Sequence, residues 1–326
     1  MAETDSKPGC FVGVDLGGTK ILAGLFDSAL VLRGTAKITT KAQRGPQAVT
    51  ERIVRCVRDA VDEADLAMDQ VRAVGLGVPG TVDPVLGQVI FAPNLGWRGV
   101  ALKQPIEKLL GVPVCVENDC NVAVLGVQVG ELKGKPRNVV GVFIGTGIGG
   151  GLILNGELYS GAAHAAGEVG HMALQMNGPQ CGCGNKGCFE ALAGRTAILQ
   201  RIKTAVSGGE KTVLTEILED LDRLRSGDLR KALRRGDKLT QRVIQDAARY
   251  TGLALANLAN LLSPEVMVLG GGLIEAVGDE MLEVILQTLK EHTMPGSLTG
   301  MEIRLSTLGD HAGITGGAVL ARQLSQ

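Results

Sequence analysis

One device, written twice, narrows the possible folds of this chain more than anything else in it. Residues 11–14 are an apolar run that ends in Asp15-Leu16-Gly17-Gly18-Thr19-Lys20, after which residues 21–26 are apolar again. Residues 139–144 repeat the plan: an apolar run, then Gly145-Thr146-Gly147-Ile148-Gly149-Gly150-Gly151, then a short returning run over 152–154. Each reads as a strand, a glycine turn and a second strand, with the turn carrying the polar groups. The two copies lie about one domain length apart in a chain of 326 residues. That length suits two domains better than one core, and no shorter period runs through the chain, so a duplicated α/β domain is expected and a solenoid is not.

The segments between the hairpins fit an α/β plan. Val49, Ile53, Val57, Val61 and Ala64 recur at helical spacing. Residues 71–78 read as a buried strand closed by Pro79-Gly80, and residues 112–116 as a shorter one that runs into Glu117-Asn118-Asp119, with a helix from about Val122. The second half is richer in helix, over 191–206, 216–235 and 239–262. A strand over 266–269 then ends in Gly270-Gly271-Gly272, before helices over 281–289 and 313–323. The division between domains is expected at 117/118, with the second domain running to 308.

Composition excludes several classes of partner. Aromatic residues are 2% of the chain and the formal net charge is -1, so neither base stacking nor a polyanion-binding surface is expected, and nucleic acid is not a partner. Eight basic residues against two aspartates over 223–242 are interleaved with Leu224, Leu229, Leu233 and Leu239, the pattern of a solvated helical face. Residues 1–9 lack the apolar core of a secretory signal. The uncharged stretch 138–156 is long enough to cross a bilayer, but its glycines mark turns, so no membrane segment is expected. Seven cysteines, three of them within eight residues, suggest reduced thiols in a cytoplasm and metal ligation in preference to disulfides.

Three glycine turns follow strands: Gly17, Gly18, Thr19 and Lys20; Gly145, Thr146 and Gly147; Gly270 and Gly271. Backbone amides in such turns can approach an anion, and the threonines add hydroxyl donors. A tight hairpin explains any one of them; three together point to a nucleotide site. The chain has no G-x-x-x-x-G-K-[ST], and the glycines of 145–150 are not followed by a long helix, so neither a P-loop nor a dinucleotide-binding fold is expected. Asp15, at the end of its strand, is placed to hold Mg²⁺ against phosphates, while Lys20 either neutralises charge or faces solvent.

Asn118 and Asp119 directly follow a buried strand. Phosphoryl transfer needs in-line positioning, charge neutralisation and a group that takes the hydroxyl proton. Asp119 can be that base, and Asn118 can bond a neighbouring hydroxyl. The competing reading makes Asn118 an N-cap for the next helix. Glu157, His164, Glu168 and His171 form a second polar set, and Asn94 sits in a loop with Trp97, the sole tryptophan, expected to pack beneath it.

His171, Cys181, Cys183 and Cys188 offer one imidazole and three thiolates, a full ligand set for a structural Zn²⁺. Glu190, two residues past the last cysteine, is expected to support that site and to contact a bound polyol.

With these residues in view the chain resembles the ROK family (repressor, open reading frame, kinase) and within it the bacterial glucokinases. The resemblance rests on Asp15-Leu16-Gly17-Gly18-Thr19-Lys20, Asn118-Asp119, the turn at 145–151, Glu168-Val169-Gly170-His171 and Cys181-x-Cys183-x4-Cys188-x-Glu190. It implies a two-domain actin-like, ribonuclease H-like α/β fold with ATP and Mg²⁺ in a cleft, the chain end at 309–326 returning to the first domain. It implies phosphorylation of a hexose, glucose first, at its 6-hydroxyl. Asp119 is then the base, Asn94, Asn118, Glu168, His171 and Glu190 hold the remaining hydroxyls, and a homodimer or homotetramer is expected. Cys120-Asn121-Val122 and residues 309–313 depart from the family's usual sequence. The rivals are an N-acetylhexosamine, mannose or fructose kinase, or a sugar-responsive regulator. The last is disfavoured, because a DNA-binding domain is expected to precede the first hairpin and only about nine residues do.

Overall fold

A computed structural model describes residues 9–325; the reading of the first eight residues lies outside them. Among the described residues the strands, in chain order, are β1 (Cys10–Leu16), β2 (Lys20–Phe26), β3 (Leu32–Thr39), β4 (Val71–Val78), β5 (Thr81–Asp83), β6 (Gln88–Ala92), β7 (Trp97–Ala101), β8 (Val114–Asn118), β9 (Val139–Ile144), β10 (Ile148–Leu154), β11 (Glu157–Leu158), β12 (Val266–Gly270) and β13 (Glu302–Leu305). They form two five-stranded sheets of order β3-β2-β1-β4-β8 and β11-β10-β9-β12-β13, with a small β5-β6-β7 sheet. The two large sheets follow one plan: an antiparallel hairpin at one side, then parallel strands in chain order. The duplication read from the sequence is therefore a duplication of sheet topology.

The described residues group into two compact units. The first holds residues 9–137, Gly151–Gly167 and residues 310–325, and the second Asn138–Gly150 and Glu168–Gly309. The helix Asp119–Gly130 thus lies with the first unit, beyond the 117/118 division expected from sequence. The reason is packing: its Gly126 and Val122 lie against the helix His311–Leu324, which itself rests on β1 and β4.

Alternation along β1 decides what each face of the first sheet does. Val12, Val14 and Leu16 point into a core shared with Ile53, Val57 and Val61 of the helix Pro46–Asp62 and with Ile106. Phe11, Gly13 and Asp15 fall on the other face, where Phe11 joins Ile314, Ala318 and Ala321 of the terminal helix. Glycine is required there for close approach: a Cβ on Gly13 would lie 1.7 Å from the Ile314 carbonyl, and one on Gly316 would lie 1.7 Å from the Val122 carbonyl. Both obstacles are backbone, which cannot swing aside. Gly316→Val is expected to destabilise the protein by about 3 kcal/mol or more. Urea denaturation measures it, and a midpoint equal to the parent's would contradict this account of the packing.

In the second unit β9, β12 and β13 are parallel, with Gly270 paired to Phe143. The 25-residue helix Lys238–Leu262 packs on the helix Ile274–His292. Asp237 caps it by accepting from the Thr240 amide and hydroxyl. Among the described residues no helix is long and apolar enough to cross a membrane.

Candidate active site

Within the first unit, the carboxyl ends of the parallel strands β1, β4 and β8 gather the polar residues. Asp15 stands one residue before the end of β1 and Asp119 immediately after β8. The two half-buried carboxylates lie close enough to repel. Burial, then the charge of Asp119, push Asp15 up to about 7, against a smaller opposing pull from Lys20. Asp119 is raised as well, chiefly by burial. The Cys120 amide, which donates to its Oδ1 at 2.8 Å, works the other way. Asp119 opens the helix Asp119–Gly130, where the helix dipole favours its charged form.

Asn118 is the N-cap: its Oδ1 accepts from the amides of Cys120 and Asn121 at 2.9 and 3.1 Å. Its Nδ2 donates to the Gly80 carbonyl at 3.0 Å, which leaves one amide hydrogen for a ligand. Glu117, buried at 6% exposure, braces this corner by accepting from the Asn118 amide and from Asn121 Nδ2. The sequence reading gave Glu117 no role. A charged residue inside an otherwise apolar strand was the available signal.

The first glycine turn closes through the Gly17 amide, which donates to the Lys20 carbonyl at 2.9 Å, and is braced by Thr40 Oγ1, which donates to the Gly17 carbonyl. Gly18 and Thr19 are exposed, and Gly18 faces the backbone of exposed Asn94. Lys20 is neither idle nor solvent-directed: its ammonium pairs with Asp310 at the start of the terminal helix, and Lys37 pairs with the same carboxylate at 3.4 Å. Asp310 is held below the usual carboxylate range by those two lysines, despite its partial burial. Trp97 packs at 3% exposure, as expected of a residue beneath its loop.

The second unit carries the other predicted residues. The turn after β9 is shorter than the sequence suggested, because Ile148, Gly149, Gly150 and Gly151 already belong to β10; it comprises Gly145, Thr146 and Gly147. Gly270 ends β12 and Gly271 packs on the Ile144 carbonyl, so the second and third glycine turns adjoin at the carboxyl ends of two parallel strands. Ligands of open α/β sheets bind at such ends.

Glu190 is fixed to this turn. Its Oε2 accepts from the Ile148 amide at 2.9 Å and would lie 2.2 Å from any Cβ on Gly147, so a side chain there would have to push the carboxylate aside. Its Oε1 lies 3.8 Å from the Cys181 sulfur. One carboxylate thus joins the glycine turn to the cysteine loop, a contact the sequence spacing did not reveal.

In that loop one ligand atom each from His171, Cys181, Cys183 and Cys188 lies within 4.8 Å of the others, a group able to hold a metal ion. Cys183 and Cys188 sulfurs are 3.7 Å apart, and His171 Nδ1 is 3.7 Å from the Cys181 sulfur. His171 Nε2 faces Glu168 at 3.9 Å. Burial raises the Cys181 thiol and pushes Cys188 up to about 12, while the Asn185 amide lowers exposed Cys183. Of the wider polar set, Glu157 and His164 fall in the first unit and Glu168 and His171 in the second.

Comparison with known proteins agrees with this construction. The model of the ROK family matches residues 11–324. The chain is 35% identical over 322 residues to a glucokinase of Streptomyces coelicolor, covering 97% of this chain and 98% of that one. It is 33% identical over 314 residues to a glucokinase of Halalkalibacterium halodurans, covering 96% and 95%. Among solved structures it is similar to a ROK family glucokinase from Streptomyces griseus in complex with glucose and AMPPNP, with a TM-score of 0.83, 33% identity and coverage of 97% and 100%. The fold is accordingly the α/β fold of the actin-like, ribonuclease H-like ATPases. A chain matched from its first strand to its last helix, with both glycine hairpins and the Cys₃His group in place, belongs to the ROK family.

Proposed function

We propose that this chain transfers the γ-phosphoryl group of ATP to the 6-hydroxyl of a hexose, glucose before others, with Asp119 as the base. The observation that carries the reading is the placement of Asp119: at the carboxyl end of a central parallel strand, on a helix N-terminus, beside Asp15 and the strand ends that lead into a glycine turn. Family membership and the glucokinase relatives support the activity and the choice of glucose.

Asp119 accepts the proton of the sugar hydroxyl, and that same hydrogen bond holds the hydroxyl in line with the phosphorus, while Oδ1 accepts from the Cys120 amide. Burial raises the proton affinity of this carboxylate, so it takes a proton more readily than a solvated aspartate does. Asn118 keeps one amide hydrogen for a neighbouring sugar oxygen. Asn94, Glu168, His171 and Glu190 supply the remaining polar contacts, Glu190 with Oε1 only, since Oε2 is engaged by the Ile148 amide. Each sugar hydroxyl left unpaired on burial would cost about 1–3 kcal/mol, which is why a neutral polyol needs this many polar groups.

The turns at Gly17, Gly18, Thr19 and Lys20, at Gly145, Thr146 and Gly147, and at Gly270 and Gly271 receive the nucleotide. Mg²⁺ neutralises phosphate charge when bound, and the carboxylate oxygens of Asp15 suit so hard a cation. The cysteine group suits Zn²⁺: at about 2.3 Å per Zn–S bond, tetrahedral sulfurs stand about 3.8 Å apart, close to the 3.7 Å between Cys183 and Cys188. His171, Cys181, Cys183 and Cys188 would hold it with no open position, which makes the ion structural. Reduced thiols of this kind support a cytoplasmic location.

ADP release tests the reading with glucose, mannose, fructose, N-acetylglucosamine and N-acetylmannosamine, each with ATP and with polyphosphate. Glucose with ATP is expected to give the highest kcat/KM. No ADP with any hexose would remove the kinase reading, and a tenfold preference for an N-acetylhexosamine would replace the sugar.

A further inference from the structure

The second glycine turn has a cation beside it that no sequence motif singled out. Arg195 begins the helix Arg195–Ser207, half-buried, and its own amide donates to the Gly145 carbonyl at 3.0 Å. Its Nη2 donates to Thr146 Oγ1 at 2.5 Å. Thr196 fastens the same turn, its amide and hydroxyl both donating to the Thr146 carbonyl at 3.2 and 3.1 Å.

What matters at Arg195 is its lack of a counter-charge at a glycine turn. Arg201, Arg235, Arg242 and Arg249 each stand within 4.0 Å of a carboxylate. Among the described residues Arg195 has no such partner, and Glu190, the acid fixed to the turn, takes the Ile148 amide instead. The guanidinium offers five N–H donors, and the partner it has is a neutral hydroxyl. Next to it, the amides of Thr146 and Gly147 donate no hydrogen bond among the described residues. Space is also available: a Cβ on Gly145 would meet nothing within 4 Å. Unspent donors, a positive charge without a counter-charge and open room in one turn are what an anion with several oxygens requires.

We propose that Arg195 is a binding residue for the phosphate chain of the nucleotide, turning from Thr146 to the phosphate oxygens when nucleotide arrives. The inference rests on the reading that this turn seats the phosphates. A planar guanidinium can bond two oxygens of one phosphate, which a lysine cannot match.

The test is the inhibition of the full-length enzyme by MgADP and by adenosine, each competing with ATP, in the parent and in Arg195→Gln, Arg195→Lys and Gly145→Val. Arg195→Gln can still bond Thr146 but lacks the charge. It is expected to weaken MgADP inhibition by about tenfold or more, to leave adenosine inhibition and the glucose KM within about twofold, and to be partly rescued in Arg195→Lys. A purely structural role would shift MgADP and adenosine equally or neither, and either result overturns the proposal. Gly145→Val fills the open space and retains the Arg195 guanidinium. If it weakens MgADP and Arg195→Gln does not, Arg195 is excluded and the turn retains its role; if both leave MgADP unchanged, the phosphate reading of the turn fails too.

Discussion

Asp119→Asn lowers kcat by about 10²- to 10⁴-fold, the range general bases contribute, while glucose still binds. The amide keeps the shape of the side chain and its hydrogen bond from the Cys120 amide, but it cannot take a proton. Loss of kcat without loss of sugar affinity separates the base from a residue that merely holds the sugar. Equilibrium glucose binding and steady-state turnover measure the two halves, and near-normal turnover would remove the assignment. In the parent enzyme kcat/KM should fall toward acid pH as Asp119 gains its proton. Because burial raises this carboxylate above its ordinary value of 3.8, that fall begins at a higher pH than for a solvated aspartate. The stability effect has the opposite sense. A buried acid with raised proton affinity favours the native state while protonated, and this contribution is lost as pH rises through its folded-state value. Asp119→Asn should therefore raise the melting temperature of the ligand-free protein above pH 7, in part by relieving the repulsion that lifts Asp15 to about 7.

Cys183→Ser is expected to empty the metal site. The loop between His171 and Cys188 has little apolar content, and exposed Cys183 contributes nothing to a core. Its value lies in completing the ligand set, so an oxygen in place of its sulfur should release the ion, since structural zinc sites supply folding energy directly. The consequence reaches Glu190, which follows Cys188 by two residues and is tied to both Cys181 and the glycine turn. Metal analysis should fall from about one zinc per chain to near none, with the glucose KM up by about tenfold or more, as for altered metal-site support. Unchanged zinc content would refute the site.

How legible was this in the sequence? Asp15, Asp119 and the glycine turns could be read because their positions are local: each directly follows or closes an apolar run, and a strand end is where an α/β sheet keeps its chemistry. The cysteine group was legible for the same reason, being concentrated between His171 and Cys188. β3 was not, because it is an edge strand whose residues alternate between partial burial and exposure, so it resembles a polar loop. The helix Lys103–Leu110 buries only Ile106 and Leu110 and carries a proline in its first turn, leaving too short an apolar stripe to recognise. The partner of Lys20 was out of reach for a different reason. Asp310 is 290 residues away in sequence, and no local pattern encodes a long-range pair. Arg195 and the Glu190 contact with Ile148 belong to that class as well. Asn118 shows a subtler limit: the capping and ligand readings were posed as rivals, whereas the cap uses Oδ1 and leaves an Nδ2 hydrogen free.

The measurement that bears most directly on the central claim is a crystal structure of this protein with glucose and a non-hydrolysable ATP analogue. An Asp119 carboxylate oxygen is expected at about 2.6–3.2 Å from the sugar 6-hydroxyl, with the 6-oxygen itself in line with the terminal phosphorus. A 6-hydroxyl bonded to some other group, with Asp119 directed away from it, would rule out Asp119 as the base.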